Sequence, residues 1–140
     1  MAGKRSIKIG EKIMHRVLVN QKDVHYPGGL VNGPWVLSLF GDVGTELSVR
    51  YDGDDGLLRA YKDTELLAPI AAGDLIEAVG WIEKVGNTSR TTKLEAYRVM
   101  EIGKNPEVPS EGNYLDEPVL VARCTIIGVV KKHLQRFNQA

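Results

Sequence analysis

Residues 34–51 carry the one long helical pattern in this chain, and the pattern is apolar around most of its circumference. Val36, Phe40, Val43 and Leu47 recur at spacings of three and four, while Trp35, Leu37 and Leu39 widen the stripe. A helix of that kind must be covered along most of its length. Asn32-Gly33-Pro34 supplies its start, because asparagine is a good N-cap and proline suits a first turn where its missing N–H would be unpaired anyway. Asp52-Gly53-Asp54-Asp55-Gly56 is a turn cluster that ends it. Gly41 and Gly44 lie inside the helix, each at a cost of up to about 1 kcal/mol relative to alanine. They provide either close helix-to-sheet packing or room for a ligand.

The rest of the chain reads as strands. Residues 12–20 form a first strand, followed by a loop over 21–31 punctuated by Pro27-Gly28-Gly29. After the helix come strands over 57–67, 74–85, 89–102 and 118–132, with breaks at 69–73, at Gly86-Asn87 and in the polar loop 103–117. A chain of 140 residues fits one core better than two. The expectation is a single α+β domain over 1–140, with an antiparallel sheet wrapped around one long central helix. Such a sheet leaves an edge strand open, so a dimer or higher homo-oligomer is expected.

Composition narrows the function classes. The 43% hydrophobic and 26% charged content is that of an ordinary globular chain. Eighteen basic residues balance eighteen acidic ones, so no net field gathers nucleic acid or an anionic membrane. Lys4, Arg5 and Lys8 are not followed by an apolar stretch of signal-peptide length, and no apolar run approaches membrane-spanning length, which points to the cytoplasm. Cys124, the only cysteine, falls in an apolar run and is expected to be a buried free thiol. The 52–56 cluster is no calcium loop, because its twelfth position is Asp63 and not a bidentate glutamate. With no Walker loop, dinucleotide fingerprint or cluster of metal-ligand residue types, neither a metal nor a redox cofactor is expected.

Several segments resemble the hotdog superfamily, and within it the β-amino-acyl-CoA ammonia lyases. Asp23-Val24-His25-Tyr26-Pro27-Gly28-Gly29-Leu30-Val31-Asn32-Gly33 is similar to the loop that leads those lyases into their central helix. Gly41-Asp42-Val43-Gly44-Thr45-Glu46-Leu47 resembles their mid-helix segment. The pieces Leu67-Ala68-Pro69-Ile70, Ala72-Gly73-Asp74 and Val85-Gly86-Asn87-Thr88-Ser89-Arg90 are shared more widely across hotdog thioesterases and dehydratases, and alone speak only for the fold. The resemblance spans residues 12–130. Pro34-Trp35 departs from the small residue and arginine usual in the lyases, a change that would reshape the acyl pocket.

The resemblance implies reversible elimination of ammonia from a 3-aminoacyl-CoA, 3-aminobutyryl-CoA or β-alanyl-CoA, to give a 2-enoyl-CoA such as crotonyl-CoA. Coenzyme A would be part of the substrate. That chemistry needs a base for the proton beside the carbonyl and a site for the charge developing on the thioester oxygen. Glu46 is the first choice of base, as a carboxylate within a mostly buried helix, and Asp42 lies one turn earlier on the same face, placed to hold the ammonium group. Asp23 and His25, in the loop before the helix, are further catalytic candidates, placed to meet Glu46 of a second subunit. Tyr26, Gly28, Gly29, Asn32 and Gly33 are the substrate-binding candidates, the last of them at a helix N-terminus whose N–H groups polarise a carbonyl. Asn87, Ser89, Arg90, Lys93, Lys131 and Lys132 are candidates for the phosphates and adenosine of coenzyme A. His15 and His133 have no such company and read as strand or surface positions. Two alternatives stand beside the lyase: an acyl-CoA thioesterase on the same fold, and a non-catalytic acyl-CoA-binding dimer.

Overall fold

In the computed structural model the expected helix runs Gly33–Asp52 (α1), and its stripe of Val36, Leu39, Phe40, Val43 and Leu47 is buried. The structure describes residues 3–137, so both ends of the domain anticipated over 1–140 lie outside the described residues. Asn32 occupies the N-cap position with extended backbone, but its side chain makes no capping hydrogen bond. At the other end Gly53 is left-handed (φ 72°) and its N–H closes the last turn on the Val49 carbonyl. Glycine tolerates that backbone where other residues are strained.

Five strands follow the order of the reading: β1 Ile13–Leu18, then after the helix β2 Leu57–Leu66, β3 Leu75–Val85, β4 Ser89–Ile102 and β5 Gly112–Val129. They form one antiparallel sheet in the order β1-β3-β4-β5-β2. The helix lies across one face of it, nearest β3, and the two make the expected α+β arrangement. Gly80 on β3 permits the close approach: a Cβ there would sit 2.7 Å from Val43 Cγ1. Ile76, Ala78, Ile82, Leu94, Ala96, Ala122 and Cys124 meet the helix stripe in one core. Their alternation along each strand is the period of two that places every second side chain on the covered face.

One boundary differs. β5 begins at Gly112, six residues ahead of the expected 118, because residues 112–114 pair with the far end of β4 (Ile102↔Gly112, Met100↔Tyr114) before a bulge restores register at Arg98↔Val119. The polar residues there are exposed on both faces, so their composition reads as loop although their backbone is in the ladder.

The helix end is fastened by a feature that falls inside the supposed turn cluster. Asp52 is fully buried, and Arg90 donates to both its oxygens, Nε to Oδ2 at 2.8 Å and Nη2 to Oδ1 at 2.9 Å. Arg90 Nη1 donates to the carbonyls of Gly86 and Ser89. The pair thus ties the last helical turn to the β3–β4 hairpin.

Candidate active site

The loop before the helix is held by backbone bonds. His25 and Tyr26 N–H groups donate to the Leu30 carbonyl at 2.8 and 3.0 Å, closing a turn whose tip, Gly28 and Gly29, has φ of 84° and 77°. The turn docks on residues 69–73: Val31 N–H donates to the Ile70 carbonyl and Ala72 N–H to that of Gly29, both at 2.9 Å. That platform is fixed in turn by buried Asp74, whose Oδ2 accepts the Ala71 N–H at 2.8 Å while Lys104 approaches Oδ1 at 3.3 Å. The result presents His25, Tyr26 and Gly28 to solvent at the helix start, with Gly29 half-buried beside them. The rings of His25 and Tyr26 meet edge to face at 4.7 Å.

On α1, Asp42 and Glu46 sit one turn apart beside the buried stripe and not within it. Asp42 is exposed, and the Glu46 side chain retains 42% of its accessible surface. The expectation of a carboxylate buried in the helix is therefore corrected: Val43 and Leu47 take the covered positions, and Glu46 lies at their rim. Its partners come from elsewhere. His15 Nε2 lies 2.8 Å from Oε1, and Arg50 Nη1 lies 3.4 Å from Oε2. Asp23 and His25 do not reach Glu46 within one chain, nor do their side chains make other hydrogen bonds among the described residues.

The other flank of the helix borders a cavity of about 340 Å³ between α1 and strands β2 and β5. Ser38, Gly41, Thr45 and Ser48 line it from the helix and Tyr61 and Ile126 from the sheet. Here both readings of the helical glycines apply. Gly41 admits the Tyr61 hydroxyl, which donates to the Leu37 carbonyl at 2.8 Å and would lie 3.3 Å from a Cβ, while a Cβ at Gly44 would meet Ile126 Cδ1 at an ordinary contact distance of 3.7 Å. Burial pushes the Tyr61 phenol above its ordinary range, and the nearby Asp42 carboxylate adds to the effect.

A loop of this shape, a central helix with one rim carboxylate and a five-stranded antiparallel sheet can be compared with known proteins. Residues 28–100 match the family model described as thioesterase superfamily. The sequence is 42% identical over 125 residues to the 3-aminobutyryl-CoA ammonia lyase of Acetoanaerobium sticklandii, covering 89% of this chain and 98% of that one. The chain belongs to the ammonia-lyase branch of the thioesterase superfamily. Among solved structures, the β-alanyl-CoA:ammonia lyase of Clostridium propionicum superposes with a TM-score of 0.88 at 42% identity, over 95% of this chain and 94% of that one. A hexameric thioesterase of Yersinia pestis superposes at 0.68 with 17% identity over 91% and 92%, a likeness of fold alone. The resemblance read from the loop and mid-helix motifs is thereby borne out.

Within that family frame the six coenzyme A candidates separate into three places. Arg90 is 6% exposed and most of its donors are engaged by Asp52, Gly86 and Ser89, so its first role is that of a structural anchor. Lys93 lies on the sheet face away from the helix, donating to Thr125 Oγ1 at 3.0 Å. Asn87, Ser89, Lys131 and Lys132 do come together: Val130 N–H donates to the Thr88 carbonyl, and Gln135 bridges the carbonyls of Asn87 and Val130 at 2.9 Å each. This end of the sheet carries the two exposed lysines beside the hairpin turn.

His15, beside Glu46, has a contact that its place in the sequence does not announce. In β1 the buried side alternates, with Ile13 covered and His15 and Val17 half-buried on the same side. A histidine in phase with Ile13 and Val17 faces the helix, which is the signal that was available. Cys124 is the buried free thiol expected, its pKa pushed up to about 12 by burial, far from a reactive thiolate. Among the described residues no three His, Cys, Asp or Glu side chains converge as a metal site, and no helix is long and apolar enough to cross a membrane.

Proposed function

We propose that this chain catalyses the reversible elimination of ammonia from a 3-aminoacyl-CoA, with 3-aminobutyryl-CoA the leading substrate, β-alanyl-CoA a further one, and the cytoplasm the place of action. One observation carries the reading: 42% identity along nearly the whole of both chains to lyases named for these substrates, against 17% to a thioesterase. The exposed carboxylate of Glu46 supplies the base that the chemistry needs.

In this mechanism Glu46 removes the proton from the carbon next to the thioester carbonyl, and that electron pair becomes the new carbon–carbon double bond. The bond from the third carbon to nitrogen breaks, and a neutral ammonia leaves with the electrons of that bond. Charge is balanced, because an ammonium and a carboxylate become ammonia and a carboxylic acid. Negative charge gathering on the thioester oxygen is met by the Gly33 N–H at the start of a second subunit's α1, because Glu46 lies roughly 20 Å from the start of its own helix at about 1.5 Å per residue. Asp42, one turn from Glu46, holds the substrate ammonium. Gly28 and Gly29 of that second subunit let its loop backbone lie against the acyl group. Asn87, Ser89, Lys131 and Lys132 receive the nucleotide end of coenzyme A.

The active form in this reading is a homodimer or a larger assembly of dimers. β2 is a ten-residue edge strand paired only with β5, and Leu57, Leu58 and Leu66 are more than half exposed along it. A long edge strand with exposed leucines at both ends is a template for a second strand, and pairing two copies through it would bring Asp23 and His25 of one subunit toward the helix of the other. The test is to mix crotonyl-CoA with ammonium. Loss of the conjugated enoyl absorbance with the thioester intact supports the lyase, and release of free coenzyme A supports the thioesterase instead.

A further inference from the structure

Two side chains bond Glu46, and a third part of the chain holds one of them. β1 brings His15, paired across the sheet with Ala78, and places Nε2 at 2.8 Å from Oε1. Arg50, one turn along the helix, reaches Oε2 at 3.4 Å, and it is itself locked by the N-terminal segment: Nη2 donates to the Ser6 carbonyl at 2.7 Å, and Ser6 N–H donates back to the Arg50 carbonyl at 2.9 Å. Ile7, buried in the core, pins that segment. The two contacts are unequal. The histidine bond is short, whereas the arginine contact is long and leaves Oε2 with an open lone pair.

Such a clamp does little for stability, since a His–Glu pair with side-chain exposures of 28% and 42% belongs with surface ion pairs. It does restrict a side chain that would otherwise sample many rotamers, and general-base catalysis depends on where the carboxylate oxygen sits. We propose that His15 is a positioning residue for Glu46, holding Oε1 so that Oε2 faces the substrate carbon. This rests on the assignment of Glu46 as base. A carboxylate only accepts, so the ring proton is on Nε2, and His15 therefore orients the base and does not take the proton from it. When Oε2 receives the substrate proton, Oε1 becomes the carbonyl oxygen of a neutral acid and still accepts from His15, in a weaker bond.

Three substitutions at His15 test this, in the full-length chain and with 3-aminobutyryl-CoA as the probe. His15→Leu fills the space without a donor, His15→Asn is polar but too short, and His15→Gln places an amide N–H where Nε2 was. Thermal melts establish that each folds. Leu and Asn should lower kcat by roughly ten- to a hundredfold, with KM within about twofold, as expected for a base displaced by less than an ångström. Gln should recover most of the loss. Because His15 acts only through Glu46, a His15→Leu/Glu46→Gln double variant should be no slower than Glu46→Gln alone. Normal kcat in His15→Leu and His15→Asn, beside a Glu46→Gln that is nearly inactive, overturns the role of His15 and leaves the base in place. Losses that multiply in the double variant overturn it as well. A Glu46→Gln enzyme with near-normal turnover instead removes the base assignment itself, and the positioning role with it.

Discussion

Arg90→Met separates a structural arginine from a ligand-binding one. In the folded chain the guanidinium and the Asp52 carboxylate are 7% and 0% exposed, and two direct bonds of 2.8 and 2.9 Å join them. Methionine keeps the length and apolar stem but leaves a carboxylate fully buried without its charge partner. It also removes the Arg90 donor from the Gly86 carbonyl, while the Ser89 carbonyl keeps the Gly86 N–H at 2.8 Å. Removing one member of a buried pair costs about 3–5 kcal/mol, mostly the desolvation of the member left behind. For a chain of this length that lowers the melting temperature by about 10–17 °C. Melting should be followed at fixed protein concentration, because subunit association also contributes to apparent stability. Well below its melting point the variant should keep its KM for acyl-CoA esters, and Asp52→Leu/Arg90→Met should regain part of the lost stability. A variant that melts within two or three degrees of the parent (about 1 kcal/mol or less) but shows a much raised KM would refute the reasoning and return Arg90 to the coenzyme.

Three further outcomes follow from the site. Glu46→Gln retains size and hydrogen-bonding capacity without basicity, and should lower kcat by about 10² to 10⁴ while acyl-CoA binding, measured by calorimetry, changes little. Asp42→Asn should raise KM for 3-aminobutyryl-CoA more than for crotonyl-CoA in the reverse direction, since only the former brings an ammonium group. Cys124 should stay unlabelled by a thiol reagent at pH 8 until the chain unfolds. Its pKa is raised on folding from 9.0 to about 12, so the folded state keeps the proton that the unfolded state loses. The stability this group contributes is thus present below pH 9 and lost as pH rises toward 12, which urea titrations across that range would measure.

The helix was legible because its pattern is local: the spacing of Val36, Phe40, Val43 and Leu47 states both the element and its covered face. The strands β2, β3 and β4 were legible for the same reason, bounded by the turns at residues 52–56, 69–73 and 86–87. Where the reading fell short, the missing information was between elements. Residues 112–114 become strand only because β4 is long enough to offer them partners. Nothing near Asp52 announces Arg90, thirty-eight residues away, and a cluster of aspartates and glycines looks solvated until the hairpin closes over it. Glu46 belongs to a mostly buried helix, yet its position beside Leu47 puts it at the rim. Its contact with His15 needed both the alternation of β1 and the side on which β1 joins the sheet.

The most direct test of the central claim is the fate of ¹⁵N-labelled ammonium mixed with crotonyl-CoA and the purified chain. The account predicts a labelled amine on the third carbon of an intact coenzyme A thioester, seen by NMR and mass spectrometry, formed faster than any free coenzyme A. Release of coenzyme A and crotonate with no labelled nitrogen in the acyl group would contradict it and make this chain a thioesterase.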